Sequence, residues 1–320
     1  MAIAGRALGL AGLLAVCLAR SAAAADGAPP PAVAVSIKPL HALVAAVMDG
    51  VAEPQLLVPG SASEHSYVLR PSQVRRLVGA RLIIWIGPAL ETYLVKPIAA
   101  AGTHAAVLQA SAVPGLLLLA NREGGAWESD DDHPHGGQAA PGGADLSEID
   151  PHLWLDPQNA EILVDAIAAA LTRIDPARAK VYAANAAREH RRLLLLDQDL
   201  QARLGAVRGI PYIVFHDAYQ YLERRYHLAA VGSVTISPDR SPGASRLLEL
   251  RRKMATARAR CAFREPQFPP ALLQTVIADS DVRVGVLDPL GAELPAGPDA
   301  YEVLLRNLAA SLVKCLAPNS

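Results

Sequence analysis

The sequence predicts an α/β protein of two lobes, each with a four-stranded parallel sheet and flanking helices, joined by one long rigid helix. Three observations predict it. Short runs rich in Val, Ile and Leu alternate with longer helical patterns, as parallel strands covered on both faces require. These runs fall into two sets of four, with a stretch at 176–204 between them that has no internal Pro or Gly. At 320 residues the chain is also too long for one ordinary core and about right for two.

The predicted strands of the first set are 33–37, 55–58, 82–86 and 105–108. Those of the second are 212–215, 229–234, 260–263 and 282–287. Helical patterns occupy 71–78, 97–101, 243–257, 269–278 and 301–316, and several open on Pro, which is tolerated at the first helical position. No internal repeat is visible. In the middle stretch Tyr182, Ala186, Leu193, Leu196, Leu200 and Leu204 fall close to helical spacing. Asp175-Pro176 reads as cap and first residue, with Gly205 and Gly209 as the stop. About 29 residues at 1.5 Å each make a rod on the order of 43 Å, unless the helix breaks near Arg191.

The first twenty-five residues stand outside this core. Arg6, the apolar run 7–18 and the small residues 22–25 have the layout of a secretory signal peptide. A bilayer span needs about 20 apolar residues, so an uncleaved membrane anchor fits less well. The domain reading is therefore signal peptide 1–25, first lobe 26–174, connecting helix 175–205 and second lobe 206–320. Export discards Cys17 and leaves Cys261 and Cys315, which in an oxidising compartment read as a disulfide rather than two buried thiols. On the chain-entropy account such a bridge contributes roughly 4 kcal/mol. Within the first lobe, 121–149 is a flexible glycine-rich loop carrying Asp130, Asp131, Asp132, His133 and His135, either a loose metal trap or a solvated linker.

Charge excludes one large class of partner. Thirty Lys and Arg against thirty-one Asp and Glu give a net charge of −1, without the basic excess that nucleic acid demands. Aromatic residues are 4% of the chain, too few for base-stacking platforms. Neither a Gly-x-Ser-x-Gly elbow, a phosphate-binding glycine loop nor a His-Glu-x-x-His helix is present.

Three of the nine histidines mark the candidate site. His65 follows the strand 55–58 and a Pro59-Gly60-Ser61 turn, within Glu64-His65-Ser66-Tyr67. His152 stands in Asp150-Pro151-His152-Leu153-Trp154, just before a helix. His216 ends the run Tyr212-Ile213-Val214-Phe215. In parallel α/β sheets ligands gather at the carboxyl ends of strands, where these histidines and Asp288 fall. A lone histidine there is usually a hydrogen-bonded rim residue; three such positions weaken that account, and a site built from them must lie where the two lobes face each other. Imidazole suits zinc, copper, iron and nickel, and three imidazoles with one carboxylate complete a tetrahedron around Zn²⁺. A closed four-ligand shell serves delivery. A catalytic zinc would keep one position open, with Glu64 as the available base.

These residues carry a family resemblance. Glu64-His65-Ser66-Tyr67 with Arg70-Pro71-Ser72, Pro151-His152-Leu153-Trp154-Leu155, Val214-Phe215-His216-Asp217-Ala218-Tyr219, Glu265-Pro266-Gln267-Phe268 and Leu287-Asp288-Pro289-Leu290-Gly291 are collinear. In them the chain resembles the periplasmic metal-binding proteins of zinc and manganese ABC importers, and most closely the zinc branch of Gram-negative bacteria. The resemblance implies His65, His152 and His216 as ligands. It implies Asp288 as the fourth, or alternatively Glu64 or a water. It implies the Cys261–Cys315 disulfide and a rigid helix at 176–204. Manganese members typically have glutamate where His216 stands, so the resemblance favours zinc. The 121–149 loop, with only His133 and His135 among its glycines, departs from the histidine-crowded loop of many zinc members, which implies weak scavenging there.

The reading is a monomeric periplasmic solute-binding protein, not an enzyme, that captures Zn²⁺ between its lobes and delivers it to a cognate ABC permease in the inner membrane. Its affinity should weaken as pH falls through about 6.5, where imidazole takes up a proton. The rivals are manganese or iron uptake, a secreted zinc hydrolase using Glu64, and an adhesive surface protein.

Overall fold

The computed structural model describes residues 29–102, 104–122, 126–127, 146–236 and 242–317. The expected signal peptide and the loop tip with His133 and His135 lie outside the described residues. In the first lobe β1 (Val33–Val35), β2 (Gln55–Leu56), β3 (Leu82–Trp85) and β4 (Ala106–Gln109) form a parallel sheet in the order β2-β1-β3-β4. Its connections carry α1 (Lys38–Val47), α2 (Pro71–Val78) and α3 (Val95–Ala101). Every residue of the two inner strands is buried, which explains their continuous apolar runs; the edge strands are only partly covered.

The second lobe repeats the arrangement. Here β5 (Pro211–His216), β6 (Ala229–Thr235), β7 (Cys261–Arg264) and β8 (Arg283–Val286) are parallel in the order β6-β5-β7-β8. The helices are α6 (Gln220–Tyr226), α7 (Ala244–Thr256), α8 (Ala271–Ile277) and α9 (Ala300–Leu316). In each lobe the first strand sends the chain to one side and then to the other. That places a topological switch point between β1 and β3, and another between β5 and β7, where ligands are expected.

Two helices connect the halves. Pro157 opens α4 (Pro157–Ile174), whose N-terminus is capped by Asp156 accepting from the Gln158 N–H at 2.9 Å. Next comes α5 (Ala179–Leu204), continuous through Arg191, with single 3₁₀ turns at Pro176–Arg178 and Gly205–Val207. The helix thus starts three residues later than the sequence pattern indicates. The Asp175 carboxylate is drawn to side-chain donors, accepting from Tyr182 Oη at 2.7 Å and Arg178 Nη1 at 2.9 Å instead of capping the backbone. The apolar positions read from spacing are all buried. Between them Asn185 donates to the carbonyls of Val47 and Asp49 at 2.9 and 2.8 Å, at the end of α1 in the first lobe. On the other side Arg192 reaches Asp299 and Glu302 at 2.6 and 3.0 Å, at the start of α9 in the second.

Core packing follows from this spine. One cluster of buried apolar side chains runs without a break from Val33 to Leu316 through α1, α4, α5 and α9. Smaller clusters cover the outer sheet faces, around Leu77, Ile83 and Ile98 in the first lobe and Ile213, Leu250 and Leu273 in the second. The Cys261–Cys315 disulfide, with Cα atoms 6.2 Å apart, pins α9 to β7. Arg122, near the end of the first-lobe segment that follows β4, donates to Asp217 and, at 2.8 Å, to Glu223 in the second lobe. Its guanidinium lies 3.6 Å from the centre of the Trp127 ring, and the backbone N–H of Trp127 donates to the Val231 carbonyl of β6 at 2.9 Å. Among the described residues no helix is long and apolar enough to cross a membrane.

Candidate metal centre

His216 is the last residue of β5 and Glu265 follows β7, so both stand at the switch point of the second sheet. The Glu265 carboxylate accepts from His216 Nδ1 at 2.7 Å. In the first lobe the chain leaving β2 turns through Pro59-Gly60-Ser61 and delivers Glu64 and His65. His152 is brought in by the segment entering α4, where Asp150 Oδ1 accepts from His152 Nδ1 at 2.7 Å. A second donor, Gln220 Nε2, holds the other oxygen of Asp150 at 3.0 Å. In both pairs the carboxylate takes the Nδ1 proton, so each Nε2 is the atom left to face the cleft.

The three Nε2 atoms converge. His152 Nε2 lies 3.3 Å from His65 Nε2 and 3.3 Å from His216 Nε2. Glu64 Oε1 stands 3.9, 3.8 and 3.9 Å from the Nε2 atoms of His65, His152 and His216. That oxygen is buried without a hydrogen-bond partner, although Glu64 is only 1% exposed. A tetrahedral Zn²⁺ with bonds of about 2.0–2.1 Å sets its donors about 3.3–3.4 Å apart, close to the spacing of the imidazoles. A modest approach of Glu64 completes the figure. An orphaned carboxylate oxygen beside three imidazole nitrogens is costly without a cation or proton to share.

Electrostatics agree with that cost. Burial pushes the Glu64 carboxyl up to about 7, against the pull of His216. His65 and His152 are held well below the ordinary histidine value by burial and by the neighbouring imidazoles. Burial pulls His216 down as well, but the Glu265 carboxylate, with help from Glu64, outweighs it and pushes the ring up to about 9. Burial likewise raises Asp150 to about 6. Near neutral pH the protons that a divalent cation would displace therefore sit on Glu64 and His216.

Of the five residues read from sequence as ligands, the structure gathers four: Glu64, His65, His152 and His216. Asp288 is not in that group. It follows β8 as expected, yet its carboxylate accepts from Gln267 Nε2 at 2.8 Å and from the N–H groups of Leu290, Gly291 and Ala292 at 3.1, 2.9 and 2.5 Å. Its lone pairs are committed to its own turn, so it stands outside the donor cluster. Sequence reasoning missed Asp150 and Glu265 as the carboxylates that orient the ligand rings. The signal was there in part: Asp150 lies two residues before His152, and Glu265 opens a motif that follows a strand.

Four donor atoms within 4.8 Å of one another leave room for one ion and nothing larger. Two α/β lobes closing on such a point are the construction of a solute-binding protein whose solute is a metal. The particular family follows from comparison. The chain belongs to the family of the zinc-uptake complex component A, periplasmic (ZnuA), whose model it matches over residues 33–315. It is 43% identical over 308 residues to the high-affinity zinc uptake system protein ZnuA of Brucella suis biovar 1, covering 89% of this chain and 91% of that one. The Yersinia pestis protein of the same description is 37% identical over 300 residues, again covering 89% and 91%. Among solved structures, the periplasmic zinc-binding protein TroA of Treponema pallidum superposes with a TM-score of 0.74 at 21% identity, over 90% of this chain and all of that one. At that identity the match speaks for the fold alone.

Proposed function

We propose that the protein captures Zn²⁺ in the periplasm on His65, His152, His216 and Glu64 and delivers it to the permease of an ABC importer. The observation that carries this reading is the buried, partnerless Glu64 Oε1 facing three Nε2 atoms at nearly equal distances. Three nitrogen donors and one carboxylate suit zinc better than manganese, which prefers oxygen. The zinc-uptake family is a transport family, and its members are not enzymes. That disposes of the hydrolase reading, and in the reading proposed here Glu64 serves as a ligand rather than as a base. No bond is broken; the chemistry is exchange of protons for a cation and its later surrender. In this reading residues 1–25 are a cleaved signal peptide, 26–174 and 206–320 are the lobes around the 175–205 helix, and the protein acts as a monomer on an inner-membrane permease.

Replacing His152 with Ala tests the site. Outer partners of metal ligands typically cost 10–100-fold in affinity when lost, so removing a ligand should weaken zinc binding by more than about a hundredfold. The metal-free melting temperature should stay near that of the parent. Calorimetric titration that finds undiminished zinc affinity in this variant would overturn the assignment.

A further inference from the structure

Beside the metal centre a buried ammonium is one of the ties between the second lobe and the first. Lys38, the first residue of α1, is 6% exposed. Its Nζ donates to the carbonyls of Gly291, of Ala292 at 3.0 Å and of Leu294 at 2.7 Å, all in the turn that begins at Asp288. An ammonium has three donors, and all three are used here. The same turn is held from within by the Asp288 carboxylate, through the N–H groups of Leu290, Gly291 and Ala292. Cation outside and anion inside thus grip one stretch of backbone from opposite sides. Two further bonds seat it on the first lobe: Trp154 Nε1 donates to the Pro289 carbonyl at 2.9 Å, and Gln267 bridges Asp288 to the Gly60 carbonyl.

Gly60 leaves space for this contact. A Cβ there would stand 2.7 Å from Lys38 Nζ, 2.9 Å from its Cε and 3.1 Å from the Gly291 carbonyl. Gly291 itself sits at φ +66°, and a Cβ on it would meet Leu294 Cδ1 at 2.8 Å. The turn is therefore built for one posture. In that posture Asp288 is near enough for its charge to act on Glu64, yet its oxygens are spent on amide hydrogens. Removing the ammonium leaves three carbonyls without their donor, and the turn loses the one grip that acts on its carbonyls at Gly291, Ala292 and Leu294.

We propose that Lys38 is the positioning residue that decides which carboxylate serves the cation: by clasping the 288–294 turn it keeps Asp288 out of the metal shell and leaves Glu64 as the oxygen donor. The proposal rests on the zinc site described above and adds a residue that touches no ligand.

A double-mutant cycle on the full mature chain tests it, read by chelator competition for Zn²⁺ and by the visible absorption of bound Co²⁺, which reports the donor set. In the parent, Asp288→Asn should change zinc affinity less than threefold and leave the Co²⁺ bands in place. In the Lys38→Met background the same change should cost tenfold or more and shift the bands, because Asp288 has joined the shell. Gly60→Ala, which displaces the ammonium without altering it, should reproduce the Lys38→Met behaviour and decides the matter if Lys38→Met does not fold. Equal Asp288→Asn effects in all backgrounds would overturn the role of Lys38. Glu64→Gln in the parent separates the two levels: if it moves neither affinity nor spectrum the zinc site itself is wrong, whereas a strong Glu64 effect with no coupling removes only the clasp.

Discussion

Glu64 and Asp288 both follow an edge strand, one from each sheet, and Asp288 is near enough for its charge to act on Glu64. The two carboxylates nevertheless meet opposite fates. Asp288 accepts four hydrogen bonds, three of them from consecutive backbone N–H groups of its own turn. One oxygen of Glu64 has no partner at all and is buried against the histidine nitrogens. The local backbone takes up the lone pairs of one acid and leaves an oxygen of the other unpaired.

The contrast can be broken in graded steps. Glu64→Gln should have the largest effect, since it replaces the anionic donor with a neutral amide; a loss of about a hundredfold in zinc affinity is expected, at or above the range for outer partners. Glu265→Gln comes next. It leaves the ligands intact but removes the acceptor that turns His216 Nε2 toward the ion, so titration should show a 10–100-fold loss.

Acidification acts on the same atoms. Glu64 at about 7 and His216 at about 9 are both raised in the metal-free fold, so each is protonated below those values and the cation must displace the proton. Lowering the pH from 7 to 6 should therefore weaken binding by at least about tenfold, measured against a chelator of known protonation. Glu64→Gln should flatten that dependence by deleting one of the two protons. Asp288→Asn should matter least, within about threefold on zinc affinity, as an acid outside the shell of donors predicts. A larger loss would put Asp288 back among the ligands.

Much of this was legible because it is local. Periodicity and apolar runs locate all eight strands to within a few residues, since a strand buried on both faces advertises itself in consecutive side chains. Two helices left no such mark. All ten residues of α1 are buried, so no polar face sets up a 3.6-residue contrast, and α6 has only seven residues. The repeated strand order of the lobes is equally invisible, because topology constrains only where runs occur and not which residues fill them. At the site, the three histidines were readable from their places at strand ends and before α4. The different surroundings of Glu64 and Asp288 were not, because they depend on amide hydrogens in a turn that also accepts from Lys38 of the other lobe, 253 positions before Gly291 in sequence. Asp150 and Glu265 escaped for a related reason: a carboxylate that orients a ligand looks like any other acid until its partner ring is placed.

The unbroken apolar cluster that threads both halves through α1, α4, α5 and α9 bears on how cargo leaves. Swinging the halves wide apart would open that seam to water, a large penalty for a carrier that must unload repeatedly. Unloading by a slight parting is cheaper, and the donors are unevenly shared: Glu64, His65 and His152 travel with one half, His216 alone with the other. A slight parting would separate that single nitrogen from the three donors that stay together on the other half.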